Sequence, residues 1–228
     1  AQLVVSGYTM EYYENNRKQS YSVAVPEREY LTQADVRMNL HNYFDNMMMA
    51  VPWNKLYKAD YIKQNSLFFP NMKWDDLHFN MEVIMDIESV AISSSSGYHF
   101  FRSRQGSETT TVFDGLLYQK RKEQFQHILK VYKHWQIDDE KIMSVIYGYY
   151  ASRLVQCVQE VSASNLTTKR KSLWKRSLPY AGFSRYLRRV FGEDITDIRT
   201  ERSWRIMSCR QSVSQIKWRT AFIAVMPQ

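Results

Sequence analysis

The sequence predicts an α/β fold followed by a mostly helical region, and three observations carry this prediction. Short apolar runs that fit β-strands stand near the amino terminus and again within 90–101. Segments with apolar residues at helical spacing lie between those runs. Beyond residue 110 the apolar spacing is helical. We therefore expect one domain at 1–110 and a helical carboxy-terminal region at 111–228.

The first elements are predicted from strand and cap signals. Residues 3–8 form an apolar run interrupted by Gly7, and residues 21–25 alternate before Pro26, so both are predicted strands with a polar turn at 14–17 between them. Thr32 is a suitable N-cap for a helix that continues to about Met49.

The next elements alternate between helix and strand. We expect a helix at 55–65 and another that Asp75 opens and that runs to about Asp86, with apolar residues on more than one side and hence mostly buried. Residues 90–101 have strand character, and 102–111 is a polar loop. Two long helical patterns follow, around 125–135 and 142–161, and shorter helices are expected after a polar linker at 162–165.

Composition narrows the class of protein. The chain has 228 residues, of which 44% are hydrophobic, so it can bury a sizeable core. It contains no apolar run long enough for a membrane span, and its start lacks the features of a signal peptide, which predicts a cytoplasmic protein. Cys157 and Cys209 stand in apolar helical patterns and are predicted to be buried thiols rather than a disulfide or metal ligands.

The net charge of +8 is distributed unevenly. Residues 1–165 contain 17 Lys and Arg against 19 Asp and Glu, a net −2, whereas residues 166–228 contain 14 against 4, a net +10. The carboxy-terminal segment therefore supplies all the basicity. Such a segment suits an anionic partner, either a phospholipid surface or nucleic acid.

The acidic pair Asp75-Asp76 is the first candidate site. Neighbouring residues on a helix point about 100° apart, so both carboxylates cannot face one substrate atom. We expect Asp75 to cap the helix and Asp76, one step inside, to project into a cleft. The alternative is that both acids only stabilise the start of the helix.

The surroundings of this pair resemble a known family. The chain contains Trp53-Asn54-Lys55-Leu56-Tyr57 and, further on, Asp75-Asp76-Leu77-His78-Phe79-Asn80. The order, spacing and residue types resemble the second half of the catalytic domain of family 2 glycosyltransferases, where an acidic pair, usually Glu-Asp, opens a helix that continues to Phe-Asn. The resemblance implies an acceptor-side half of the GT-A fold, with Asp76 as the general base and the usual Glu replaced by Asp75.

The resemblance also implies a reaction and its partners. A nucleotide-sugar donor would pass its sugar, with inversion, to a hydroxyl of a glycan or lipid-linked acceptor, as in cell-surface polysaccharide synthesis. These enzymes resemble one another in using a divalent ion, Mg²⁺ or Mn²⁺, held by an Asp-x-Asp motif. No Asp-x-Asp occurs in this chain, so we expect the chain to be a piece that lacks the donor-binding half.

Further site residues follow from the same resemblance. It places the side chains of Trp53, Asn54, Lys55 and Trp74 on the acceptor side. The loop after the last predicted strand would hold the donor diphosphate with Arg102, Arg104 and Ser107, because guanidinium groups suit phosphate oxygens. The alternative is a solvated loop with two ordinary arginines. His99 is a candidate ligand for the metal or phosphate, and the alternative is a satisfied core side chain.

The basic segment 166–228 interleaves Arg and Lys with aromatic residues in amphipathic order. Such helices can lie in the headgroup layer of an anionic membrane, which predicts a peripheral protein at the inner face of the cell membrane. The alternative is a helical bundle that exposes a basic face. A different class also remains open, a non-enzymatic domain that binds nucleic acid, membrane or a protein partner, with nucleic acid disfavoured beside the transferase interpretation.

Overall fold

The structure is a computed structural model that describes residues 1–14, 17–102 and 116–163. These residues form two compact units, with 1–14, 17–102 and 122–138 in the first and 116–121 and 139–163 in the second. The predicted domain boundary near residue 110 and the basic segment 166–228 lie outside the described residues. Within the described residues the architecture is mixed α/β, with two small sheets and five α-helices, as the sequence predicts.

Seven strands and five helices follow one another along the described residues. They are β1 (Leu3–Ser6), β2 (Tyr8–Glu14), β3 (Arg17–Val23), β4 (Arg28–Tyr30), α1 (Gln33–Asn39), β5 (Lys55–Tyr57), α2 (Ala59–Gln64), α3 (Asp76–Ile84), β6 (Val90–Ser93), β7 (His99–Phe101), α4 (Leu117–His134) and α5 (Glu140–Ala163). A 3₁₀ turn at Leu40–Tyr43 continues from α1.

The chain passes from the four-stranded sheet to the three-stranded sheet twice, from β1 to β2 and from β6 to β7. In the four-stranded sheet, ordered β4-β6-β1-β5, strand β1 is parallel to β6, while β4 and β5 are antiparallel edge strands. In the three-stranded sheet, ordered β3-β2-β7, strand β2 is parallel to β7 and antiparallel to β3. Only Gly7 separates β1 from β2, so the run predicted as one strand is a chain that changes sheets.

Gly7 makes this change possible because backbone crowds its α-carbon. A Cβ at this position would lie 2.1 Å from the Val23 carbonyl oxygen and 3.0 Å from the Ser95 carbonyl oxygen. Both contacts are backbone atoms of paired or adjoining segments, which cannot turn away as a side chain would.

Gly7→Ala is therefore expected to lower the free energy of unfolding by about 2 kcal/mol, the usual cost of overpacking. Gly97→Ala is the matched control, because a Cβ there would meet only the Ser95 hydroxyl oxygen, at 3.5 Å. Urea unfolding of both variants measures the difference. Equal stability of the two variants would show that the crossing at Gly7 is not tightly packed.

The helix predicted from Thr32 begins as expected but ends early. The Thr32 hydroxyl accepts from the Asp35 backbone N–H at 3.2 Å, which confirms the N-cap. The predicted continuation to about Met49 is wrong, since α1 ends at Asn39 and Met47 has a left-handed φ of 62°. Asparagine side chains explain the early end: Asn39 and Asn42 donate to backbone carbonyls three or four residues earlier, and Asn46 accepts from the Met48 N–H.

The helix predicted at 55–65 is wrong in its first part. Lys55–Tyr57 forms β5, which pairs with β1 in the register Val5↔Lys55, and the helix α2 occupies only Ala59–Gln64. The pairing joins residues fifty positions apart, and local helical spacing contains no information about it.

The helices predicted at 75–86, 125–135 and 142–161 are present as α3, α4 and α5, whereas β4 and most of β2 were not predicted. Helix α3 is buried along most of its length, as its apolar residues on several sides predict. It lies in the core of the first unit with side chains of the strands, α1 and α4, among them Leu3, Val5, Val36, Leu77, Met81, Ile84, Val90, Ile92, Ile128 and Val131. The Trp135 indole N–H donates to the Met85 carbonyl at 2.7 Å, which ties the segment after α4 to the end of α3.

The second unit contains all of α5, whose buried residues Ile142, Ile146 and Tyr149 recur at helical spacing. Asp139 caps this helix by accepting from the Lys141 and Ile142 backbone N–H groups, both at 3.0 Å. Cys157 is buried, as predicted, and Cys209 lies outside the described residues. Within 1–14, 17–102 and 116–163, no helix has the length and apolar character that crossing a bilayer requires.

Candidate functional site

The acidic pair stands at the start of α3, as predicted, but Asp75 does not cap the helix with its side chain. Asp75 occupies the N-cap position with helical backbone angles, φ −67° and ψ −20°, and makes no side-chain cap hydrogen bond. The prediction of a capping carboxylate is therefore wrong, because a helical N-cap turns the carboxylate away from the free amides. Asp76 is the first residue of α3 and is half-buried, so the surrounding protein does not seal it off.

The backbone immediately before the pair is strained. Trp74 has a left-handed φ of 63°, a conformation that is rare for a residue with a bulky side chain. Its carbonyl accepts from the Gln124 side-chain amide at 3.4 Å, a contact that comes from α4. Strained residues of this kind are concentrated at functional sites, where the surrounding structure maintains them.

The two segments that carry the resemblance meet in the structure. The Tyr57 hydroxyl, at the end of β5, donates to the Asn80 side-chain oxygen on α3 at 2.6 Å. Asn80 in turn donates to the Ala50 carbonyl at 3.2 Å, and the rings of Tyr57 and Phe79 make an edge contact with centroids 5.5 Å apart. These contacts fix one turn of α3 against the segment before and within β5.

Lys55 lies beneath this contact and is almost fully buried, with 8% of its surface exposed. Its ammonium donates to the carbonyls of Met48 and Val51 and to the Asn54 side-chain oxygen, the last at 2.9 Å. Three acceptors match the three N–H groups of an ammonium. Burial lowers the pKa of Lys55 well below its ordinary value, while the negative charge of Asp76 acts in the opposite direction.

Asp76 is thus electrostatically coupled to the 53–57 segment. Besides its effect on Lys55, its charge adds to the effect of burial in raising the pKa of the Tyr57 hydroxyl. Tyr57 therefore stays protonated and keeps its hydrogen bond to Asn80 at neutral pH. The arrangement places one half-buried carboxylate beside a buried cation and a fixed phenol.

Burial revises the predicted contact of Asn54 and Lys55 with an acceptor. Asn54 has 2% of its surface exposed, and its side-chain amide donates to the carbonyls of Ser6 at 2.8 Å and Met48 at 3.3 Å. Lys55 is equally committed to the protein interior. Both side chains hold the segment in place through these hydrogen bonds, and little of either residue is exposed for contact with an acceptor.

Trp53 joins this segment to the second sheet. Its ring stacks on those of Tyr98 and Phe100, with centroids 4.6 and 5.1 Å apart, and the Tyr8 ring meets it edge-on at 5.0 Å. Tyr98 is exposed and Trp53 is half-buried, so part of the cluster faces solvent. The stack brings the predicted acceptor-side segment against β7, the strand that leads into Arg102.

Arg102 and His99 lie at the edge of the three-stranded sheet. Arg102 is exposed, and its backbone N–H donates to the Glu11 carbonyl at 2.9 Å. His99 is also exposed, which excludes the alternative of a core side chain, and its Nδ1 lies 2.6 Å from the Glu11 carboxylate. Lys18 pairs with the other Glu11 oxygen at 2.8 Å, and hydrogen bonds from Lys18 and His99 lower the pKa of Glu11. Arg104 and Ser107 lie outside the described residues.

A histidine pair on α3 and α4 could not be predicted from the sequence. His78 Nδ1 lies 3.1 Å from His127 Nδ1, and His127 Nε2 lies 2.8 Å from the Glu82 carboxylate, which also pairs with Lys130. Burial and the neighbouring His127 lower the pKa of His78. The residues are 45 to 49 positions apart, and no local signal relates them.

The residues present do not by themselves form a metal centre. Among the described residues, no three His, Cys, Asp or Glu side chains are grouped so that they could hold a metal ion. His99, the one predicted candidate, is joined to a single carboxylate, that of Glu11, and the Lys18 ammonium shares that carboxylate. A metal at this position would need further ligands.

Comparison with known proteins finds no matching family model, no matching curated protein and no matching solved structure.

Proposed function

We propose that the chain is the acceptor-side part of an inverting glycosyltransferase of family 2, with a GT-A fold. It would move a sugar from a nucleotide-diphosphate sugar to a hydroxyl of a glycan or lipid-linked acceptor, in the synthesis of a cell-surface polysaccharide. One observation carries the proposal. A hydrogen bond from the Tyr57 hydroxyl to the Asn80 side chain joins the two sequence segments that resemble the family, and Asp76 is half-buried at the start of the same helix as Asn80.

The chemistry requires a base at this place. The acceptor oxygen attacks the anomeric carbon of the donor, the bond from that carbon to the diphosphate breaks, and the nucleoside diphosphate departs with the electron pair. The acceptor hydroxyl loses its proton as the new bond forms, and the Asp76 carboxylate receives it. A carboxylate is basic enough because the hydroxyl becomes acidic only as the attack proceeds.

The neighbouring residues prepare Asp76 for this role. The Lys55 side chain, which is fixed by two carbonyls and Asn54, is electrostatically coupled to Asp76. The left-handed backbone of Trp74 sets the direction in which the chain enters α3, and with it the orientation of the acidic pair. Asp75 and Trp74 are half-buried and stay candidates for contact with the acceptor, together with the partly exposed Trp53 stack.

The donor side lies mainly outside this chain in the proposal. Arg102 is exposed at the end of β7 and would hold the donor diphosphate, with Arg104 and Ser107 further along the same loop. A divalent ion, Mg²⁺ or Mn²⁺, would neutralise charge on the departing diphosphate. Its main ligands would come from an upstream Asp-x-Asp, and His99 is the candidate that the resemblance assigns within this chain.

In this proposal the enzyme works at the membrane, because its lipid-linked acceptor lies there. Residues 166–228, with a net charge of +10 from 14 basic and 4 acidic residues, would attach a cytoplasmic enzyme to the inner face of an anionic membrane. A lipid-linked acceptor would be reached from there.

A transfer assay on the full-length gene product tests the proposal. The assay supplies a panel of nucleotide-diphosphate sugars with Mg²⁺ or Mn²⁺ and measures nucleoside diphosphate release with and without membrane extracts as a source of acceptor. We expect release from one donor that rises when acceptor is added. If no donor releases nucleoside diphosphate, and the gene encodes no Asp-x-Asp signature upstream of Ala1, the proposal is overturned.

A further inference from the structure

The loop between α2 and α3 exposes large apolar side chains. Phe68 has 81% of its surface exposed, and Phe69 and Met72 are exposed at 48% and 43%. Three such residues lie within five positions of one loop, a denser apolar exposure than the single exposed apolar residues of an ordinary surface.

The backbone of this loop is fixed at two points. Ser66 adopts a left-handed φ of 49°, and the Leu67 N–H donates back to the Ile62 carbonyl at 3.1 Å, which ends α2 in a Schellman-type turn. On the other side, the Phe69 ring stacks on Phe79 of α3 with centroids 3.9 Å apart. Phe68 stands between these two anchors and projects outward.

The charged residues within the loop itself are basic. Lys63 and Lys73 are exposed, and 61–74 contains no acidic residue, while Asp60 and Asp75 stand immediately outside this range. Neither lysine forms a salt bridge with another residue of the part of the chain that the structure describes. The loop therefore combines exposed apolar side chains with two exposed lysines that have no acidic partner.

We propose that this loop, residues 63–73, inserts its exposed apolar side chains into an anionic phospholipid bilayer. Phe68, Phe69 and Met72 would enter the boundary between headgroups and acyl chains, and Lys63 and Lys73 would meet the headgroup phosphates. We choose an anionic bilayer as the partner because the exposed apolar side chains lie between two exposed lysines, the combination that suits the headgroup boundary of an anionic membrane. The inference depends on neither sugar transfer nor residues 166–228.

A fluorescent probe on the loop tests insertion directly. Phe68→Cys in a Cys209→Ser background is labelled with an environment-sensitive dye such as NBD, since Cys157 is buried. With vesicles that contain phosphatidylglycerol we expect a blue shift and a rise in emission. A label at Leu31→Cys, which is 69% exposed and follows the opposite edge strand β4, should not respond. A Phe68 label that stays in water while the chain sediments with vesicles would overturn the proposal and assign binding to other residues.

Affinity measurements provide a second, independent readout. Phe68→Ala should weaken binding to the same vesicles by roughly tenfold, because burying a Phe side chain drives insertion. Leu31→Ala should bind as the parent does, and neither change should affect folding. Lys63→Gln with Lys73→Gln should reduce binding to anionic vesicles and leave the weaker binding to phosphatidylcholine vesicles unchanged. If Phe68→Ala binds the vesicles as tightly as Leu31→Ala does, the loop is not a membrane contact. The same conclusion follows if Phe68→Ala weakens only self-association or binding to another protein.

Discussion

Asp76→Asn is expected to reduce the turnover of the full-length enzyme by about a thousandfold, within the range that removal of a general base produces. The amide keeps the size of the carboxylate but cannot accept the proton of the acceptor hydroxyl. The proposal assigns donor binding to other residues, so the dissociation constant of the donor should stay nearly unchanged. Steady-state kinetics and calorimetric titration of the donor separate the two effects.

The chain offers a matched control one residue away. Asp75 is also half-buried, and its side chain makes no cap hydrogen bond, so Asp75→Asn removes the same charge from the same turn with little cost to the helix. We expect a much smaller loss of turnover than for Asp76→Asn. Turnover of Asp76→Asn within a few-fold of the parent would disprove the assignment of the base.

Lys55→Met is the second change with a large expected effect, and it acts on stability. Methionine fills a similar volume but leaves the Met48 and Val51 carbonyls and the Asn54 side-chain oxygen without their donor in the protein interior. Buried acceptors without partners are costly, so we expect the free energy of unfolding to fall by about 3 kcal/mol. Urea unfolding of the full-length protein measures this change through the midpoint.

Lys58→Met is the control for that substitution. Lys58 follows β5 directly but is exposed, so its replacement should change the free energy of unfolding by no more than about 0.5 kcal/mol. If Lys55→Met proved as stable as Lys58→Met, the buried ammonium would not be the support of the 53–57 segment that the geometry indicates.

The sequence was informative where the signal is local. The Thr32 cap, the buried α3 and the long helices α4 and α5 depend on contacts within a few positions, and all are present. The acidic pair was also placed correctly at the start of a helix. Its capping role was not, because the backbone angles of Asp75 depend on how Trp74 turns before it.

The errors arise from contacts between distant residues. β5 is predicted as part of a helix although Tyr57 favours a strand, because the sequence does not show that Lys55–Tyr57 pairs with β1 and that the Lys55 ammonium is buried. In the same way, Asn54 and Lys55 are polar residues that sequence reasoning assigns to a surface site. Their bonds to Ser6, Met48 and Val51 place them inside instead.

The bond from Tyr57 to Asn80 could be anticipated in part. The sequence segments that contain these residues were expected to form one site, yet nothing local indicates which side chains touch. The partners of His99 and Trp53 were beyond prediction, since Glu11 and Tyr98 are 88 and 45 positions away in the chain. Glu11 reaches His99 through the parallel pairing of β2 with β7.

The anomeric configuration of the product tests the central claim most directly. Transfer in one displacement, with Asp76 as base and no covalent sugar–enzyme intermediate, predicts that an α-linked donor gives a β-linked product. Proton NMR of the first product formed by the full-length enzyme distinguishes the two linkages by their coupling constants. Inversion is the expected result, and a product that retains the donor configuration would contradict the account.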